Sequence, residues 1–129
     1  MEYATDIEVR FADLDAYQHV NNATYFTYLE TARIKLFREK FTDQLKSGLL
    51  FLVAEASCRY LQPIALNDRV VIRLRCDKVG RSSFTLGYRI TDGGIRLFAE
   101  AQTVMVCFDA AKQTPVAIPD DLRLALTGV

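Results

Sequence analysis

Residues 10–33 read RFADLDAYQHVNNATYFTYLETAR, and the change of pattern inside this stretch decides the fold. From Asp13 to Asn21 it is polar and turn-like. From Asn22 the period becomes helical: Tyr25, Tyr28, Leu29, Ala32 and Leu36 share one stripe, and Phe26, Ile34 and Phe37 widen it. A helix that is apolar on most of its sides is a buried helix. It is expected from Asn22 to about Lys40, capped by Asn21 or Asn22. The polar half carries Asp13 and Asp15, one residue apart, and the only histidine of the chain, His19. Asp15 lies seven residues ahead of Asn22, so its carboxylate can face the backbone N–H groups that a helix start leaves unpaired. An acid or nucleophile opposite such an anion-stabilising pocket is the minimal equipment for acyl transfer.

Upstream, residues 3–11 alternate with Ile7, Val9 and Phe11 on one face, which reads as a strand. Downstream, residues 49–60, 69–79, 83–91 and 95–108 carry strand patterns, and Asp92-Gly93-Gly94 marks a hairpin between the last two. Residues 120–126 suit a short terminal helix after a loop bracketed by Pro115 and Pro119. One strand, one long buried helix and four antiparallel strands predict an α+β fold: a five-stranded antiparallel sheet wrapped around a central helix. A chain of 129 residues fits one domain spanning 1–129, large enough to bury a core without staples.

The bulk properties exclude several classes of function. Sixteen basic and sixteen acidic residues cancel, with no Lys/Arg-rich run, which argues against nucleic acid or an anionic membrane as the main partner. No apolar run approaches the roughly 18 residues of a membrane span, and MEYATDIEVRF has no signal-peptide pattern, so a cytoplasmic protein is expected. An apolar share of 50% points to an oligomeric interface. Cys58, Cys76 and Cys107 are far apart, form no CxxC or Cys/His cluster, and read as reduced, mostly buried thiols rather than metal ligands. With one histidine and no GxSxG elbow, a serine triad lacks its parts.

The segment DLDAYQHVNNATYFTYLETAR resembles the signature of the hotdog-fold acyl-CoA thioesterases, specifically the 4-hydroxybenzoyl-CoA thioesterase-like group, roughly D-x-D-x-x-G-H-V-N-N-x-x-Y-x-x-Y-x-E-x-A-R. VGRSSFTLGYRI and AEAQTVMVCFDAAKQTPVAIPDDLR resemble that group's strand turn and closing segment, so the likeness covers nearly the whole chain. It implies hydrolysis of an acyl-CoA, with Asp15 as nucleophile or general base and the Asn22 backbone N–H polarising the thioester carbonyl. His19 would orient the carboxylate or protonate the departing thiolate. Arg81, Ser82 and Ser83 would contact the nucleotide of coenzyme A, which enters as part of the substrate; no metal or redox cofactor is required. The resemblance also implies a homodimer whose sheets join edge to edge with active sites at the interface, often paired into a homotetramer.

The chain departs from the pattern at Gln18, where the group usually has glycine, a change that bears on backbone freedom and on the acyl pocket. Asp13 reads as a turn or ion-pair residue, with Arg10 as partner. Glu30 is a reserve carboxylate, its simpler reading an i, i+3 pair with Arg33. Two rivals stand beside hydrolysis: an enoyl-thioester hydratase or dehydratase, and a non-catalytic acyl-thioester-binding protein.

Overall fold

The computed structural model describes residues 1–128, Lys46 by its backbone alone; Val129, the last residue of the expected domain, lies outside the described residues. In chain order come β1 (Glu2–Ile7), a 3-10 turn (Phe11–Asp13), α1 (Thr24–Lys40), α2 (Thr42–Lys46), β2 (Leu49–Tyr60), β3 (Val70–Val79), β4 (Ser83–Thr91), β5 (Leu97–Asp109), β6 (Thr114–Pro115) and α3 (Asp120–Thr127). The sheet is antiparallel in the order β1-β3-β4-β5-β2, and two-residue β6 adds to β5 as a sixth strand beyond the five expected.

The sheet carries α1 against its concave face. Tyr25, Tyr28, Leu29, Ala32, Leu36 and Phe37 of α1 are buried in one cluster with Ile72 and Leu74 of β3, Leu86, Tyr88 and Ile90 of β4, and Met105 of β5. Period-2 alternation on the strands and the helical stripe on α1 therefore meet as expected. The stripe is narrower than its sequence suggests. Phe26 and Ile34 stay exposed, on the side of α1 that the sheet of one chain does not reach. Edge strand β2 likewise shows Leu50, Leu52 and Val53 to solvent, and its outer edge pairs with no described strand.

Three local expectations change. The first strand stops at Ile7, and Phe11, expected to point inward, is 81% exposed because the chain turns there around Asp13. The helix starts at Thr24, not Asn22. The Glu30–Arg33 pair does not form: Arg33 shares the buried stripe of Leu29, Ala32 and Leu36, while Glu30 faces outward. The Arg33 Nη1 donates to the Tyr88 hydroxyl at 3.3 Å, which shares a 2.7 Å hydrogen bond with Thr103. That hydroxyl pair gives the buried guanidinium a polar partner inside the core, on the side of the helix away from Glu30.

Asp13 fastens the turn to the helix. Its buried carboxylate accepts from the Arg10 N–H at 2.9 Å, from the Arg10 guanidinium at 3.0 Å and from the Tyr28 hydroxyl at 2.7 Å. Burial pushes this carboxyl up, but the bonds from the Arg10 backbone, Tyr28 and the Arg10 guanidinium outweigh it and hold it below the usual range. A depressed folded-state value adds stability above the unfolded value, and that stability is lost as pH falls through the folded value. Asp13→Asn is therefore expected to lower the unfolding free energy by about 2 kcal/mol at neutral pH. The gap to wild type should shrink below about pH 4, as followed by urea unfolding at several pH values.

Candidate active site

The loop between the 3-10 turn and α1 is a tight, backbone-closed structure. Leu14 bridges Val20, the Asp15 N–H donates to the His19 carbonyl at 2.8 Å, and the Gln18 N–H donates to the Asp15 carbonyl at 3.0 Å. The linker from β2 to β3 holds it from outside: His19 bridges Ala65, and the Val20 N–H donates to the Ile64 carbonyl at 2.9 Å. Asp15 Oδ1 accepts the N–H of Tyr17 at 2.8 Å and of His19 at 3.4 Å. These two bonds fix the carboxylate as an Asx-turn does. Oδ2 has no partner among the described residues, so one oxygen is anchored and the other is free.

The helix is capped by neither Asn21 nor Asn22: its N-cap residue is Ala23, which makes no side-chain cap bond, and Asn21 instead closes a turn just ahead of it. The Asn21 Oδ1 accepts the Ala23 N–H at 2.9 Å, and the Asn21 carbonyl accepts the Thr24 N–H at 2.9 Å. The N–H groups of Tyr25 and Phe26 close onto the carbonyls of Asn22 and Ala23. Most donors that a helix N-terminus would offer are thus consumed by short-range bonds. The N–H of Asn22, just outside the helix, is left without a partner among the described residues.

Asp15, His19 and Asn22 line one open cavity of about 270 Å³, with Tyr17, Val20, Tyr25, Tyr60, Leu61, Gln62 and Pro63. The side chain of His19 is exposed there. Burial, the main cause, pushes the Tyr25 phenol up to about 12, so it stays protonated. On the other side of the same loop, Asp15 also borders a larger groove of about 630 Å³, walled by Phe11, Leu14, Ala16, Gln18, Ala65 and Leu66. Asp15, with one free carboxylate oxygen, and Asn22, with a free backbone N–H, thus line the same cavity; a carboxylate and a backbone donor are the groups that attack on, and polarisation of, a carbonyl require.

The other sequence-predicted residues lie elsewhere. Arg81, Ser82 and Ser83 form the turn from β3 to β4, with the Gly80 N–H bonded to the Ser83 carbonyl at 2.7 Å. The Ser82 and Arg81 carbonyls accept from Cys107 and Ile118, leaving the Arg81 side chain exposed. Ser83 sits in the row of Leu52 and Val106, whereas Tyr60 shares the row of Ala99 and Ile90. The strand from Ser83 to Ile90 separates those rows by about 23 Å at roughly 3.3 Å per residue. Within one chain, then, this turn does not meet Asp15. Tyr60 and Gln62 line the cavity but were not singled out in the sequence; the end of a strand carries no periodic signal for what it faces across a loop. Among the described residues no three His, Cys, Asp or Glu side chains gather to hold a metal ion. Cys107 is buried, and Cys58 and Cys76 are half-buried and free.

Comparison with known proteins gives one family. A family model described as the thioesterase-like superfamily matches residues 9–126. The long-chain acyl-CoA thioesterase FadM of Escherichia coli K12 is 32% identical over 122 residues, covering 92% of each chain. The solved structure of the PA5185 protein from Pseudomonas aeruginosa superposes with a TM-score of 0.88 at 33% identity, covering 98% of this chain and 90% of that one. A thioesterase from Thermus thermophilus, solved with coenzyme A and Zn, gives a TM-score of 0.81 at 36% identity and covers 93% of each chain.

Gln18 occupies the position of the expected glycine, and its φ of 62° lies in the left-handed region. That conformation costs an L-residue roughly 1–2 kcal/mol, part of which glycine avoids. Gln18→Gly is expected to raise the unfolding free energy by about 0.5–1 kcal/mol after its larger unfolded-state entropy is counted. The β-branched Gln18→Val should lower it; thermal unfolding of the two variants beside wild type measures both signs.

Proposed function

This chain belongs to the thioesterase-like superfamily, and on that premise we propose that it hydrolyses acyl-CoA thioesters to free acid and coenzyme A. The observation that carries this reading is the pairing of the free Oδ2 of Asp15 with the free Asn22 N–H around one cavity. The names of relatives agree with it: FadM is a long-chain acyl-CoA thioesterase, and a further relative, 27% identical over 119 residues, is the acyl-CoA thioester hydrolase YbgC.

In the proposed reaction the thioester carbonyl oxygen takes the hydrogen bond of the Asn22 N–H, and the helix dipole of α1 adds positive potential as negative charge develops. Asp15 Oδ2 either adds to the carbonyl carbon or takes the proton of an attacking water. The carbon–sulfur bond breaks and the thiolate of coenzyme A departs, with His19, which lines the same cavity, as its proposed proton donor. Where Asp15 adds, the acyl-aspartyl anhydride left behind is hydrolysed by water, which frees Asp15; by either route the products are a carboxylic acid and a thiol, and water is the only other reactant.

A second copy of the chain would account for the features that one chain leaves open. β2 is twelve residues long, exposes Leu50, Leu52 and Val53, and has no partner on its outer edge among the described residues. A long apolar edge is a site for strand pairing. Two-fold antiparallel pairing of β2 would set the Leu49 end of one copy beside the Tyr60 end of the other. The Arg81-Ser82-Ser83 turn of one copy would then lie at the same end as Asp15 of its mate, where the phosphates of coenzyme A could meet the Arg81 guanidinium. We therefore propose a homodimeric, cytoplasmic enzyme, with a homotetramer as the larger assembly.

Thiol release from a panel of acyl-CoAs, aliphatic from short to long and aromatic, read with a chromogenic thiol reagent, tests the activity. Asp15→Asn should lower turnover at least about 100-fold with the fold intact by circular dichroism. Turnover unchanged in that variant would overturn the role of Asp15, and no thiol release from any acyl-CoA by folded wild type would favour a binding role. Light scattering should give a dimer or larger for wild type, and Val53→Arg, at the exposed edge, should shift the mass towards one chain.

A further inference from the structure

We propose that Tyr60 is a positioning residue for this site: its hydroxyl clamps the peptide group beside the Asn22 N–H and keeps that donor aimed into the cavity. The inference rests on the reading above, in which the Asn22 N–H holds the carbonyl oxygen.

The Tyr60 hydroxyl donates to the Asn22 carbonyl at 2.9 Å, across 38 residues of sequence. On the other side of the same peptide group, the Ala23 N–H donates to Asn21 Oδ1 at 2.9 Å. The Asn22–Ala23 peptide is thus held at both its polar atoms. The preceding peptide, which owns the Asn22 N–H, has its carbonyl engaged by the Thr24 N–H at 2.9 Å. What remains unconstrained by any described partner is the Asn22 N–H itself. Without the Tyr60 bond, the Asn22 carbonyl would keep only the longer 3.3 Å contact from the Tyr25 N–H. Small errors in donor direction matter, because stabilisation of a developing oxyanion depends on donor geometry set in advance.

The tyrosine is itself held for this task. Its ring packs edge-on against Tyr25 with centroids 4.8 Å apart and an interplanar angle of 89°. Tyr25 is 3% exposed and belongs to the core of α1, so the clamp has a rigid backstop. Burial and the neighbouring Cys58 thiol push the Tyr60 phenol up, so it remains a donor across the working pH range. Tyr60 is nonetheless 41% exposed and contributes little core volume. A hydroxyl whose bond ends on the residue carrying the candidate donor, on a side chain the core does not need, fits a geometric role better than a packing one.

Tyr60→Phe removes the hydroxyl and keeps the ring. With an acyl-CoA that wild type turns over, kcat is expected to fall about tenfold while KM stays within about twofold and the melting temperature barely moves. As a second variant, 3,5-difluorotyrosine at position 60 keeps ring and hydroxyl but ionises near neutrality. It should add a falling alkaline limb to the kcat–pH profile that wild type lacks. The titratable groups lining the cavity around it, Asp15, Tyr17, His19 and Tyr25, and the Cys58 thiol beside the Tyr60 phenol, are common to both proteins. Asp15→Asn runs alongside. If Asp15→Asn abolishes turnover and Tyr60→Phe leaves kcat unchanged, or raises KM alone, the Tyr60 role is overturned and the hydrolase reading stands. If Asp15→Asn retains full turnover, or wild type turns over no acyl-CoA, the reading of this cavity as the catalytic site fails and takes the Tyr60 role with it. If Tyr60→Phe does not fold, the fluorinated protein decides: a kcat–pH profile identical to wild type overturns the role.

Discussion

The buried carboxylate of Asp13 is the fixed point from which the candidate site is built. It binds Arg10 before it and Tyr28 on the helix after it, and its own carbonyl accepts the Asn21 N–H at 2.9 Å. The chain from residue 13 to residue 21 is thereby closed into a loop whose two ends meet. Asp15 has no freedom to wander within that loop, because Leu14 pairs with Val20 and its own N–H is bound to His19. The two aspartates of D-x-D divide the labour: the one with all its bonds satisfied is structural, and the one with a free oxygen is the candidate for chemistry.

The broad architecture was legible in the sequence because it rests on periodicity. Alternation over residues 70–79 and 83–91 can be satisfied only by half-buried strands, and the stripe on α1 only by a helix lying against them. β2, β3 and β4 fall where the pattern puts them, and the Asp92-Gly93-Gly94 turn separates β4 from β5. The misses share a cause. Phe11 continues the alternation of β1, yet Asp13 bends the chain and turns it outward. Arg33 is polar and one turn from a glutamate, yet its stem lies on the buried stripe and its head finds the hydroxyls of Tyr88 and Thr103. In both cases a tertiary bond overrides a local preference that is correct in isolation.

The site divides the same way. Asp15, His19 and Asn22 were visible because they lie close together in sequence on one loop, and the fold keeps them on one cavity. Tyr60 was not visible, since nothing in the sequence around it announces a bond to residue 22. Nor could spacing alone reveal that the Arg81 turn stands at the opposite end of its own sheet from Asp15; strand register is needed for that. Gln18 is an intermediate case. The sequence showed a departure from glycine, but only the φ of 62° shows that the departure carries a conformational cost.

β2 joins these observations. Its last residue, Tyr60, holds the peptide beside the candidate donor, and its outer edge is the surface on which the proposed second copy would pair. Pairing along that edge would order the whole strand, because ladder hydrogen bonds restrain each residue they include. The end that carries Tyr60 would be held more firmly than in a single chain, and the Arg81 turn of the mate would arrive at the same place. In the proposed dimer, assembly and alignment of the Asn22 N–H would then be one physical event acting through one strand. On this account a variant that separates the copies loses turnover in two ways: it removes the distant nucleotide contacts, and it loosens the clamp on a donor that belongs to the chain itself.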